Sequence, residues 1–140
     1  MIEFHFETKF ELKNEVDYSD WIARVIHSEN ATVGNLNYIF CDDTYLLVLN
    51  KNHLDHDTFT DIISFDYSDK GVVSGDIFIS IERVRENSEL FKEEFSMELL
   101  RVMAHGVLHL LGYNDKNEND IVLMRKKENE KIKLFHVEQN

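Results

Sequence analysis

Between positions 105 and 115 the chain reads HGVLHLLGYND, placing two histidines, His105 and His109, four residues apart in an otherwise apolar stretch. On a helix of 3.6 residues per turn this spacing leaves two rings about 40° apart around the axis and about 6 Å apart along it, so both can converge on one ion. Neutral imidazole nitrogens suit a borderline divalent metal. Gly112 can take the left-handed conformation, stop the helix and reverse the chain, which carries Asp115 back toward the rings. A carboxylate would complete the set, and Glu118 and Asp120 compete with Asp115 for that place. Desolvating two imidazoles merely to hydrogen-bond them gives an apolar helix nothing, so the stretch is expected to bind metal. His5, His27, His53, His56 and His136 lack such neighbours and are expected at the surface or in local hydrogen bonds.

Several elements must position this group. The apolar stripe through Leu90, Phe95, Leu99, Val102 and Leu110 predicts one strong helix from about Ser88 to Leu111, ended by Gly112. Ile2, Phe4 and Phe6 alternate with polar residues, as in a strand with one buried face. Trp21, Ile22, Val25 and Ile26 fall at helical spacing between Asp17 and about Ser28, with Asp17 or Ser19 as candidate caps. Leu36–Phe40 reads as a strand, followed by a helix carrying Tyr45, Leu46 and Leu49 behind Asp42 or Asp43. TDIISF (60–65) and DIFISI (76–81), the latter after a Ser-Gly turn, read as a hairpin. A last helix runs from about Asn119 to Phe135, its basic residues Arg125, Lys126, Lys127, Lys131 and Lys133 read as a solvated face paired with acids such as Glu128 and Glu130. The expected fold class is α+β: a single domain over 1–140, a small central sheet of about four strands packed with several helices, and a metal site at the end of a core helix.

Composition limits the rest. The 140 residues are 43% hydrophobic with ten Phe, five Tyr and one Trp, enough for one core and too apolar for a disordered chain. Fifteen Lys and Arg against 27 Asp and Glu give a net charge of −12, so any nucleic-acid surface must be local. A lone cysteine, Cys41, supplies neither an internal disulfide nor a multi-thiolate metal site, and points to a reducing cytoplasm. The first residues do not resemble an export signal, and runs such as Tyr45–Leu49 fall far short of the roughly 20 residues that span a bilayer. No membrane role is expected, and the oligomeric state stays open.

The HGVLHLLGYND stretch is similar to the HGxLHLxGYDH signature of the YbeY family, bacterial single-strand-specific endoribonucleases concerned with ribosomal RNA maturation. Leu49-Asn50 followed by Asp57, Thr60, Asp61, Ile62, Ser64 and Phe65 resembles the family's LNxxYRxxDxPTDVLSF segment, and Gly75-Asp76-Ile77 its GDI strand. The resemblance covers about residue 36 to the end of the last helix. It implies a metal-dependent endoribonuclease acting in rRNA maturation and ribosome quality control, with one divalent ion, zinc foremost. The implied partners are single-stranded or ribosomal RNA and the ribosome or its proteins.

Two departures bear on mechanism. Asp115 stands where the family has its third histidine, and Asn114 where it has aspartate. Family spacing thus favours Asp115 over Glu118 and Asp120, and the ligand and catalytic set becomes His105, His109 and Asp115. Two histidines and a carboxylate hold catalytic zinc in known hydrolases and leave a position for water, although a carboxylate also suits harder ions such as iron or manganese. Leu54 replaces an arginine that would face substrate phosphate, so Arg83, Arg85, Arg101 or the last helix's lysines would have to substitute. Asp61, Ser64 and Asp76, on the paired strands, are the expected substrate-binding residues; the blander roles are loop orientation, a backbone bond and fixing the turn at Gly75. Two other readings compete: a ribosome-assembly factor with a mainly structural metal, and a metallopeptidase-like hydrolase. Gly106 opposes the second, because the HExxH arrangement needs a glutamate there as general base.

Overall fold

A computed structural model of the chain describes residues 1–54 and 60–138. Its elements are β1 (Ile2–Phe6), α1 (Glu15–Ser28), β2 (Thr32–Cys41), α2 (Asp43–Leu54), β3 (Ile62–Asp66), β4 (Val72–Ser80), α3 (Ile81–Leu90), α4 (Phe95–Leu110) and α5 (Glu118–Glu138). The strands form one sheet in the order β1-β2-β4-β3. The first three run parallel and β3 closes the edge antiparallel to β4. This is the expected α+β domain.

The strand alternation decides which residues face the helices. Phe4 and Phe6 of β1 stack on Tyr38 and Phe40 of β2 with ring centroids 5.9 and 5.6 Å apart. That aromatic row joins Leu36, Ile77 and Ile79 in the main core, with Trp21, Ile22 and Val25 of α1 and Leu99, Met103 and Val107 of α4. The Tyr38 hydroxyl donates to the Met103 carbonyl at 2.8 Å, and the Trp21 indole N–H to the Lys131 carbonyl at 2.7 Å. These bonds satisfy the polar ends of two buried aromatics and fix α4 and α5 against sheet and α1. On the other sheet face, Leu46 of α2 packs with Cys41 and Ile63 in a smaller cluster.

Four expectations require correction. The stripe from Ser88 to Leu111 is two helices, broken where Lys92 adopts a left-handed φ of 56° and Glu93 N–H turns back to the Ser88 carbonyl at 2.8 Å. Ser80 caps α3 by accepting from Arg83 N–H, which takes Ile81 out of the strand. The hairpin turn lies at Tyr67–Gly71, where Asp66 Oδ1 accepts from Ser68 N–H at 2.8 Å; Ser74 and Gly75 lie inside β4. At α1, neither Asp17 nor Ser19 is the cap: the helix starts at Glu15 behind Asn14 in a left-handed conformation, with no side-chain cap. Asp42 does cap α2, accepting from Tyr45 N–H at 2.8 Å.

Candidate metal centre

Helix α4 crosses the sheet at close range because Gly106 has no side chain. A Cβ there would lie 2.8 Å from Ile77 Cγ2 and 2.9 Å from Ile62 Cδ1. Position 106 therefore faces the sheet while His105 and His109 face the seam with α5, and a glutamate at 106 would point into the core. This geometry removes the metallopeptidase arrangement.

At its far end α4 stops as expected. Gly112, at φ 102°, lets Gly112 N–H bond the His109 carbonyl and Tyr113 N–H the Leu108 carbonyl, both at 3.0 Å. This paired 5→2 and 6→1 closure is a Schellman motif. The reversed chain returns Asp115 so that its Oδ2 lies 3.3 Å from both His105 Nε2 and His109 Nε2, which are themselves 2.9 Å apart. Donors bonded at 2.0–2.2 Å around a tetrahedral ion are separated by about 3.3–3.6 Å. Two edges of the triangle fit, and the third need open only by a few tenths of an ångström.

The rings are oriented from behind. His105 Nδ1 lies 2.7 Å from Glu128 Oε2 on α5, and His109 Nδ1 lies 2.9 Å from the Tyr113 carbonyl oxygen. The Tyr113 carbonyl and the ionised Glu128 carboxylate can only accept here, so each Nδ1 is the donor, and in the neutral rings both Nε2 atoms present lone pairs to each other and to an anionic oxygen. Three converging lone pairs repel one another unless a proton or a metal ion sits among them. The donor set thus fits a divalent ion on its own chemistry. The reversed loop is anchored in turn: Tyr113 Oη donates to Glu29, which also accepts from Lys131 at 2.8 Å and Lys127 at 3.4 Å.

The three side chains are 21%, 28% and 43% exposed, so the group opens outward rather than being sealed. It borders a cleft of about 400 Å³ lined by Asp61, Glu98, Arg101, Arg125, Phe91 and Ile121, among others. Burial pushes the Asp61 carboxyl up against the opposing charge of His105, and burial followed by the charge of Asp61 pushes Glu98 up. Burial opposes charging His105, but the Glu128 hydrogen bond and the charges of Glu128, Asp115 and Asp61 outweigh it and raise its pKa.

Of the expected substrate residues, only Asp61 lies in this cleft. Ser64 pairs with Ile77 on the α4 side of the sheet but is not among the residues that line it. Asp76 is on the opposite face, accepting from Asn37 Nδ2 at 3.0 Å, while Asn37 Oδ1 meets His5 Nε2 at 3.0 Å. Period-two alternation separates Asp76 from Ile77 and hence from the cleft. His27 is exposed. Asp57, His56 and the side chains of His53, Leu54 and His136 lie outside the described residues. Burial first, then the nearby acids, pushes the Cys41 thiol up to about 12, which removes it as a nucleophile at neutral pH.

A family model described as Endoribonuclease YbeY matches residues 3–136. The chain belongs to the YbeY endoribonuclease family. A relative named Endoribonuclease YbeY from Flavobacterium psychrophilum is 59% identical over 140 residues, covering all of both chains. Another of that name, from Flavobacterium johnsoniae, is 55% identical over 99% of this chain and 100% of its own. A Thermotoga maritima protein solved in solution superposes with a TM-score of 0.68 at 27% identity, covering 99% of this chain and 91% of its own.

For a YbeY chain, three features here were missed by reading the sequence. Glu128 stands 23 residues from the histidine it orients, and only the packing of α5 on α4 reveals the pair. Glu98 precedes His105 by seven residues on the same helical stripe, a signal the sequence did carry. The basic run of α5 is not one solvated face, since Lys127 and Lys131 turn inward to Glu29.

Proposed function

We propose that this chain is a metal-dependent endoribonuclease cutting single-stranded RNA, acting in the cytoplasm in ribosomal RNA maturation and ribosome quality control. One divalent ion, zinc foremost, would be held by His105, His109 and Asp115. The carrying observation is the triangle of donor atoms from His105, His109 and Asp115, each ring oriented from behind, at the edge of an open cleft in a YbeY chain. A purely structural site would be closed by four protein ligands, whereas the described residues offer three donors, with Asp115 exposed beside the cleft.

When bound, such an ion supplies Lewis acidity toward a phosphoryl oxygen and lowers the pKa of a water. The protein's part is to fix the donors and manage protons. With Nδ1 of each ring committed to Glu128 or Tyr113, neither histidine is available as a proton shuttle. Hydrolysis forms a bond from water oxygen to phosphorus and breaks the bond to the departing ribose oxygen; one proton leaves the water and one reaches that oxygen. Asp61, in the cleft and with its carboxyl shifted up by burial, is the group placed to carry a proton between them.

The test is cleavage of a single-stranded RNA by purified protein before chelation, after chelation and after zinc is restored, beside His109→Ala. Activity should vanish on chelation, return with zinc and be lost in the variant. Equal cutting by wild type and His109→Ala would remove the reading.

A further inference from the structure

Resting on that endoribonuclease reading, we infer that Arg125 is this chain's phosphate-binding cation and that RNA leaves the metal cleft across it onto the outer face of α5, where Lys126 and Lys133 hold further phosphates. The candidate cations sort by their commitments. Arg83 is bridged to Asp43 and Glu86 at 2.9 and 2.7 Å. Arg85 lies over the Phe95 ring in a separate groove with Lys9 and Lys13. Arg101 lines the cleft, but its side chain is only 20% exposed and bonds Glu128 at 3.2 Å and Asn129 at 2.9 Å. Lys127 and Lys131 are held by Glu29 and Glu130.

Arg125 differs on each count. Its side chain is 60% exposed, and its ion pair among the described residues is a long 3.8 Å contact to Glu128 Oε1. The other oxygen of that carboxylate holds His105, so the guanidinium stands one side chain away from a metal ligand. Its planar fork can swing from this loose contact to bind a phosphate bidentately, the capacity that Leu54 lacks. Arg125 also lines a second, shallow groove of about 480 Å³ with Val122, Lys126, Asn129, Glu130 and Lys133. It is therefore the joint between the cleft and this groove.

Lys126 and Lys133 are seven residues apart, which puts them on one face of α5 with about 10 Å between them along the axis. Both are exposed, and neither makes an ion pair among the described residues. The groove's acid, Glu130, is offset by Lys127 at 3.3 Å and Lys131 at 3.0 Å. On a chain of net charge −12, a groove bearing Arg125, Lys126 and Lys133, with Arg125 shared with the cleft, is where a polyanion meets least repulsion.

The test is fluorescence anisotropy of a short labelled phosphorothioate RNA, which keeps its charge and resists cutting, titrated over a range of salt. Proteins compared are wild type, Arg125→Ala, Lys126→Ala/Lys133→Ala, and Lys9→Ala/Lys13→Ala as a control of equal charge change. The slope of log affinity against log salt should fall by about 0.7 for Arg125→Ala and about 1.4 for the α5 double variant, and stay at the wild-type value in the control. Unchanged slopes in both α5 variants, or an equal fall in the control, would overturn the path. If wild type meanwhile cuts ordinary RNA in a zinc-dependent way, the endoribonuclease reading stands without it. Failure of wild type both to bind and to cut would sink the two together.

Discussion

Glu128 Oε2 lies 2.7 Å from His105 Nδ1 while Glu128 Oε1 takes Arg101 at 3.2 Å, so one nearly buried carboxylate fixes a metal-facing ring and a cleft cation together. Outer carboxylates of this kind raise the basicity of the ligating ring and lock its orientation. Glu128→Ala should weaken zinc binding by about 10- to 100-fold. Competition titration with a chromophoric chelator measures it, and an unchanged dissociation constant would mean that Glu128 orients nothing.

Asp115 reaches the two histidine rings only because the Gly112 closure returns the chain. Asp115→Ala should lose most zinc affinity, while Asp115→His, which restores the residue of the family signature, should retain it. A fall of equal size in both variants would show that the position is structural rather than ligating.

Much of this was legible in the sequence, for identifiable reasons. The His-x-x-x-His spacing and the helix-stopping glycine are local signals, and the structure places His105, His109 and Asp115 together as those signals imply. Strand alternation in IEFHF likewise survives intact. The break between α3 and α4 was hidden because the apolar stripe continues through Leu90 and Phe95 with no proline or glycine, and the reversal falls on Lys92. Asp76 lies apart from the cleft because the pleat turns its side chain to the far face, which the family segment's spacing does not carry. Arg125 and Glu128 depend on how α5 docks, which no local pattern carries.

Gly106 sets the distance between α4 and the sheet. Gly106→Ala should cost about 1–3 kcal/mol through overpacking against Ile77 and Ile62, of which better helix propensity returns at most about 1 kcal/mol, so the net effect is destabilising. A lowered thermal or denaturant midpoint would agree; a midpoint at or above wild type would show that the helix can move away at no cost.

Acid should loosen the loop that carries Asp115. Burial opposes the Glu29 charge, but hydrogen bonds from Lys131 and Tyr113, with the charges of Lys131 and Lys127, hold its carboxyl below the ordinary range. A depressed folded-state pKa contributes stability above the unfolded value and loses it as pH falls through the folded one. The stability gap between wild type and Glu29→Gln should therefore be full near neutrality and shrink as pH falls from about 6 toward 3. Chemical denaturation across that window checks it, and a gap that stays constant would contradict the assignment.

Whether His105 and His109 grip a metal is read from zinc stoichiometry by element analysis of metal-stripped, zinc-reloaded and desalted protein, wild type beside His105→Ala and His109→Ala. One zinc per wild-type chain is expected, and a loss in each variant while circular dichroism stays native. One zinc retained equally in both folded variants would contradict it.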